Sequence, residues 1–359
     1  MNQRYLMSTG AAALAITLMA VWPAPPLAAG QGTQVLKSGE KAVTVANNGT
    51  PAKPYVAPKT PDGVPDLQGY WTNNSITPLQ RPQGVTKEFY TPEEFAAAAK
   101  KQADSDEGRI TAQVGTVNDV HYDFTQFGLD KSQTVLNGNM RTSLITNPSN
   151  GKIPPVTEEG KKRAAAKVAA ATPRSAQYDT VKNIVIGSRC IYQGAGPPML
   201  PPGYNPGYQI VQGAGYVMIL IEAGHEVRVI PTDNRPHAPE GVRSWLGDSR
   251  GHWEGNSLVV ETSNFNGRVA FQGSSENLKV SERFTRTDAN TIKYEFTIND
   301  PSTWETSWGG ELPFTKMDGP IFEHACTEGN YGIMNTLAGA RAEEKRAAAA
   351  AAAKKGGAQ

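Results

Sequence analysis

Alternation of apolar and polar residues is clearest in the last third of the chain. Leu278, Val280, Glu282 and Phe284 fall on one face of a predicted strand. After an Asp288-Ala289-Asn290 turn, Ile292, Tyr294, Phe296 and Ile298 share one face of a return strand, with Lys293, Glu295, Thr297 and Asn299 opposite. Upstream, Gly255-Asn256 is a two-residue hairpin signal between strands over 250–254 and 257–262, the second turning Leu258, Val260 and Thr262 to one side. The run Tyr216-Val217-Met218-Ile219-Leu220-Ile221 reads as a strand buried on both faces. Ala223-Gly224 turns the chain, and His225, Val227 and Val229 then share a face. Residues 184–191 read as the strand that opens this region. Short strands at spacings of roughly ten residues predict a mainly β protein, an antiparallel meander that closes to hide its edges. The first expectation is a lipocalin-like up-and-down barrel over 181–337, with a sandwich second.

The pattern ahead of it is different. Thr91-Pro92-Glu93-Glu94 combines a capping Thr, Pro at the first helical position and Glu three residues after the cap, so a helix is predicted to about Gln102. A second is predicted over 157–171, ended by Pro173. Residues 61–180 thus form a mixed helical and loop region packed on the barrel, with no assignment for 105–150. Residues 30–60, rich in Gly, Lys, Pro, Asn and Thr, read as a flexible lead-in, and 338–359 as an Ala/Lys-rich tail without chemistry. Residues 1–29 read as a signal peptide: Arg4, an apolar run from Gly10 to Trp22, then the small residues Ala28 and Ala29. The apolar run falls short of the ~18–20 residues a membrane span requires. The expected location is periplasmic or secreted, with no membrane span once the leader is removed.

Export changes the meaning of the two cysteines. In an oxidising compartment Cys190 and Cys326 are expected to pair; a catalytic thiolate is the weaker alternative, and a zinc site lacks a close C-x-x-C. With 35 basic and 34 acidic residues, Arg4 among the former, charge supplies no reason to bind nucleic acid or an anionic membrane. The expected partner is a small-molecule substrate or ligand, and oligomeric state is left open.

The stretch Trp245-Leu246-Gly247-Asp248-Ser249-Arg250-Gly251-His252-Trp253-Glu254-Gly255-Asn256 carries a resemblance. Together with Glu261-Thr262-Ser263-Asn264-Phe265, Ser275-Glu276-Asn277-Leu278, Glu328-Gly329-Asn330-Tyr331-Gly332 and Pro65-Asp66-Leu67-Gln68-Gly69-Tyr70-Trp71, it resembles an uncharacterised family of exported bacterial proteins. The likeness spans roughly residues 61–343 and implies kinship without an activity. It implies that Arg189-Cys190, Cys326 and Arg235-Pro236-His237 belong to the family pattern. This chain departs from it at Thr327, where the pattern has His after the second cysteine; here His324 precedes that cysteine.

No G-x-S-x-G elbow, H-E-x-x-H, Walker loop or dinucleotide fingerprint is present, so no cofactor is expected. The densest polar cluster is Thr232-Asp233-Asn234-Arg235-Pro236-His237, followed by Glu240, Arg243 and Asp248. Its chemical reading makes His237 a general acid or base, Asp233 its orienting partner, and Arg243 or Arg235 the anion stabiliser. Its plain reading is a polar loop that satisfies its own turn. His225 is expected to meet His237 across a cavity, or to be a satisfied core histidine. Glu323 and His324 supply a second acid and imidazole beside Cys326. His252 reads as surface or aromatic packing, and His121 lies in the unassigned stretch. Tyr192, Tyr204, Tyr208, Trp304 and Trp308 lie in or near Pro/Gly-rich loops, either stacking on a sugar-like or aromatic ligand or covering the core. None of the five histidines shows metal-ligand spacing on one element.

Three functions remain. One is an exported, cofactor-independent lyase, isomerase or hydrolase using acid–base chemistry in a barrel cavity, with Asp248, Arg235, Tyr208, Trp304 and Glu323 binding substrate. The second is a lipocalin-like carrier of a small apolar or aromatic ligand, and the third a structural envelope protein. The polarity of the enclosed space separates them: clustered ionisable groups for an enzyme, an apolar void for a carrier.

Overall fold

A computed structural model describes residues 55–110, 113, 139–171, 176–192, 194, 196–202, 205–268 and 270–356. These fall in the larger of two units, Val45–Gln359; the other, Met1–Thr44, lies outside the described residues, as do the leader and most of the lead-in. His121 and Tyr204 also lie outside them.

Ten strands build one sheet. In chain order they are β1 (Gly69–Thr72), β2 (Ile145–Asn147), β3 (Gly207–Gly213), β4 (Tyr216–Ile221), β5 (Glu226–Pro231), β6 (Asp248–Glu254), β7 (Ser257–Ser263), β8 (Lys279–Arg286), β9 (Thr291–Asn299) and β10 (Trp308–Lys316). The spatial order is β5-β4-β3-β1-β10-β9-β8-β7-β6, every neighbouring pair antiparallel, with β2 attached to β10 beyond this path. The sheet curls into a nearly closed barrel. Its two ends approach each other: a Cβ placed on Gly251 of β6 would lie 2.8 Å from Ile230 of β5. The antiparallel meander and its near-closure are as predicted, but β1, β2, β3 and β10 lie where no strand was expected. Strand β1, from the region expected to pack outside the barrel, sits between β3 and β10 and joins the two halves.

Alternation explains the interior. Val280, Phe284, Tyr294, Ile298, Leu258, Val260, Ile210, Phe314 and Trp71 point inward and are buried. Phe314 touches the rings of Tyr208 (5.2 Å), Tyr294 (5.2 Å) and Phe284 (6.2 Å, edge-on), a geometry favoured by ring quadrupoles. Where β2 and β9 both press on β10, Gly309 and Gly310 have no room for a Cβ: one would collide with the Phe296 carbonyl, the other with that of Leu144.

Three strand expectations are corrected. Residues 184–191 form no strand; the Ile184, Arg189 and Cys190 amides bond to carbonyls three or four residues back, closing turns after a short 3-10 segment, Val181–Asn183. Strand β4 is buried on one face only: Val217, Ile219 and Ile221 face inward while Tyr216 is exposed. On β5, Val227 and Val229 are exposed, and Arg228 and Ile230 are buried. The register gives the reason. Directly paired residues of an antiparallel ladder share a face, and Arg228 pairs with inward Ile219, Ile230 with inward Val217.

The helices follow their capping signals. Helix α1 (Pro92–Ile110) runs further than predicted and opens with a reciprocal cap: the Glu94 amide donates to Thr91 Oγ1 (3.3 Å) and the Thr91 amide to Glu94 Oε2 (2.8 Å). Helix α2 (Glu158–Ala169) has Thr157 as its cap, accepting from the Gly160 amide at 3.0 Å. Helix α3 (Tyr331–Gly356) includes the predicted Ala/Lys-rich tail but begins seven residues before it. Among the described residues, no helix is long and apolar enough to cross a membrane.

Candidate functional site

Two polar assemblies stand out, one sealed inside the barrel and one open beside the disulfide. The sealed one starts at Arg228 of β5. Its Nη1 donates to Glu282 Oε1 at 3.0 Å and its Nη2 to Oε2, and both side chains are essentially inaccessible. Arg228 Nη2 also reaches Ser249 Oγ of β6 at 3.3 Å, itself 2.9 Å from Thr262 Oγ1 of β7. Tyr294 of β9 donates its hydroxyl to Glu282 Oε1 (2.8 Å) and accepts the Met199 amide (2.8 Å). Asn73 Nδ2 then donates to the Met199 carbonyl and the Tyr208 hydroxyl, both at 3.0 Å. Burial disfavours the Arg228 cation, and the Glu282 carboxylate beside it more than offsets that, holding the guanidinium charged. Burial and the same carboxylate push the Tyr294 phenol well above 10. The segment around Met199 packs against this network: Met199 is fully buried, and a Cβ on Gly196 would lie 3.7 Å from Arg228 Cδ.

The open assembly is a cavity of about 240 Å³ whose walls include Cys190, Tyr192, His225, Glu226, Glu323, His324, Cys326 and Glu328. Cys190 and Cys326 are disulfide-bonded, with Cα atoms 5.7 Å apart across 136 residues of sequence. This bond brings the 323–328 segment against the β4–β5 turn. That turn is held open by Gly224 (φ 76°) and His225 (φ 54°), and Cys190 is also left-handed (φ 55°); the two non-glycine residues occupy conformations that side chains disfavour. The Gly224 amide donates to His324 Nδ1 at 2.7 Å. Because the donor is a backbone N–H, Nδ1 must be the lone-pair nitrogen, so the neutral ring carries its proton on Nε2. The His225 ring is exposed and makes no hydrogen bond to a described residue. Tyr192 donates to the Gly196 carbonyl (2.7 Å) and stacks on Trp245, and burial raises its phenol far above the ordinary range. Among the described residues lining the cavity, five are ionisable His or Glu side chains and none is Lys or Arg.

The loop cluster resolves differently from the expectation. His237 Nδ1 lies 2.8 Å from Asp248 Oδ2, which also accepts the Ala238 amide at 2.9 Å; Arg250 Nη1 holds Oδ1 at 2.7 Å. Burial raises the Asp248 carboxyl, but the Ala238 amide, His237 and Arg250 together bring it below its usual value. Asp233 instead chelates Arg235, which depresses its carboxyl to about 2. Asp233 is two residues from Arg235 in an exposed turn and takes that nearer cation, leaving the Asp248 carboxylate of β6 to orient His237. Arg243 donates from Nη1 to the Phe265 (3.0 Å) and Glu276 (2.8 Å) carbonyls, pinning loops together. His237 does not join His225: it is His324 that shares the His225 cavity. Tyr208 and Trp304 are corrected from loop rings to core: Tyr208 lies on β3, Trp304 packs edge-on against Trp308 (5.5 Å), and neither presents a face to solvent. His252 pairs with Glu254 at the surface.

Sequence reasoning passed over Arg228, Glu226, Tyr294 as a polar group, and Arg250. A signal for the first was present: Glu282 stood on an otherwise apolar face, and a carboxylate there demands a buried cation. Among the described residues, no three His, Cys, Asp or Glu side chains are placed to hold a metal ion. No protein-family model, curated protein or solved structure matches this chain.

Proposed function

We propose that the protein is an exported enzyme performing acid–base chemistry, of the lyase, isomerase or hydrolase kind, on a small polar molecule bound in the cavity beside the disulfide. The observation that carries this reading is the convergence of two imidazoles and several carboxylates, a hundred residues apart in sequence, on one opening of about 240 Å³. The two rings are differentiated as such chemistry requires. His324 accepts the Gly224 amide at Nδ1, so its neutral ring is the tautomer that donates from Nε2; the exposed His225 ring, which bonds to no described residue, is suited to carry the proton. The carboxylates, with no Lys or Arg among the described lining residues, favour a neutral or amine-bearing substrate over an anion. The disulfide agrees with a periplasmic or secreted location. A carrier is less well supported, because Met199, Tyr208, Tyr294 and Phe314 occupy the barrel interior where an apolar ligand would lie.

The test is a thermal-shift screen of small amines, amino sugars and neutral sugars, followed by NMR of each stabilising compound for conversion. A hit that is converted by the wild type, and loses both stabilisation and conversion in His225→Ala and His324→Ala, supports the reading. Stabilisation without conversion favours a carrier, and hits indifferent to both substitutions remove the cavity from consideration.

A further inference from the structure

Away from the cavity, the loop over 81–88 packs on the segment over 141–152 and gathers two cations. Arg81 is only 6% exposed, yet it forms no ion pair with a described residue. Its Nε donates to Thr142 Oγ1 at 3.1 Å and its Nη1 to the Thr86 carbonyl at 3.3 Å, both neutral acceptors. A guanidinium carries five N–H donors, so most of this one's remain unused by the chain. Nη2 bonds to no described residue and is open to solvent, at the end of an otherwise buried side chain. Gly151 brings the second cation beside it. Its carbonyl accepts the Arg81 amide at 2.8 Å, and at φ 68° it lies so close that a Cβ would sit 3.1 Å from Arg81 Nε. The next residue, half-buried Lys152, donates from Nζ to the Arg81 carbonyl and likewise forms no ion pair with a described residue. The acids nearby in these elements are engaged elsewhere: Glu94 by Lys87, and Glu88 and Glu311 by Arg141. A partly desolvated cation without a counter-charge is costly, and here two occur together.

We propose that Arg81 and Lys152 form a binding site for a doubly charged phosphoryl group, as in inorganic phosphate or a phosphate monoester. The open Nη2 donates to one phosphoryl oxygen, and the Lys152 ammonium supplies the second positive charge. Two cations without acidic partners match a dianion better than a carboxylate, which carries one charge. Thr142 and Thr86 hold the guanidinium in place before any ligand arrives, so little order is lost on binding. The site shares no residue with the disulfide cavity and does not depend on the reaction assigned there. A free phosphate and the monoester headgroup of a lipid present the same chemistry, and the experiment separates them.

The experiment titrates the full chain, disulfide intact, with inorganic phosphate or acetate near neutral pH and at constant ionic strength, reading the heat of binding. Phosphate is expected to bind saturably and at least about tenfold tighter than acetate. Lys152→Gln keeps a donor for the Arg81 carbonyl while removing the charge. It is expected to weaken phosphate at least about tenfold, with an unchanged melting temperature in phosphate-free buffer. Arg81→Lys keeps a charge but loses the guanidinium fork, and is expected to weaken phosphate further; if that variant does not fold, Lys152→Gln decides. Sedimentation with phosphatidylcholine vesicles containing phosphatidic acid identifies the source. Co-sedimentation of the wild type that is lost in Lys152→Gln assigns the phosphoryl group to a lipid headgroup, whereas phosphate binding without co-sedimentation assigns it to a free molecule. Phosphate bound no better than acetate, or an unaltered phosphate affinity in Lys152→Gln, would overturn the proposal.

Discussion

The barrel interior and the cavity beside the disulfide hold similar chemistry, yet they serve opposite ends. Inside, Arg228 and Glu282 are both essentially inaccessible and meet in a two-pronged pair, closed further by Tyr294 and Ser249. The Glu282 carboxylate is inaccessible and is held by Arg228 and Tyr294. In the cavity, His225 and Glu323 are exposed, and the His324 ring keeps one nitrogen tied to the backbone. A charge sealed in low dielectric carries a considerable desolvation cost, which its paired counter-charge must offset. A charge left at an opening keeps its freedom to bind and to exchange protons. Burial of an ionisable group, taken alone, is thus a poor guide to the working site.

The largest effect expected is on the sealed side. Glu282→Ala leaves Arg228 charged and unpaired, and unfolding in urea should show a loss of about 3–5 kcal/mol, while Arg228→Met with Glu282→Leu should recover most of it. A loss under about 1 kcal/mol would mean that water reaches the pair and the contrast fails. Next, Met199→Ala should cost about 2–5 kcal/mol, because it removes a fully buried core side chain; an opened interior would also bind an environment-sensitive dye.

Acid probes two carboxylates held by hydrogen bonds. Asp248 and Asp300 have carboxyls held below their ordinary 3.8. For Asp300, burial is outweighed by bonds from Thr303, Ser275 and Ser302. Both groups bind a proton more weakly in the folded chain, so their stabilisation is complete above about pH 4–5 and is lost as pH falls through the folded values. Melting temperature followed from pH 6 to 2 should decline in that window, with a shallower decline in Asp248→Asn and Asp300→Asn. The smallest effect sharpens the comparison most. His225→Ala should change stability by no more than about 0.5 kcal/mol, since the ring is exposed, while removing ligand stabilisation at the cavity. A large loss of stability there would place His225 with the structural group.

Much of the barrel was legible because strand faces repeat every two residues. The interior sides of β7, β8 and β9 could be assigned residue by residue, and so could the Thr91 cap, whose signal lies within four positions. Strand β5 was misread for a physical reason. Val227 and Val229 are the more apolar set, but Arg228 is the residue that register with Ile219 turns inward, and its charge is tolerable only because Glu282 arrives from three strands away in sequence. The partner of His237 was misassigned in the same way. Asp233 is nearer along the chain, yet Asp248 is nearer in space, and Arg235 had already claimed Asp233.

What the residue order alone determined was local: where strands alternate and where a helix is capped. Those features depend on neighbours a few positions apart. Tertiary structure alone decided which ionisable groups are sealed and which are open. Closing the sheet brings β5 to β8 and the disulfide brings His324 to Gly224, and such meetings depend on register, twist and chain crossing rather than on any short pattern.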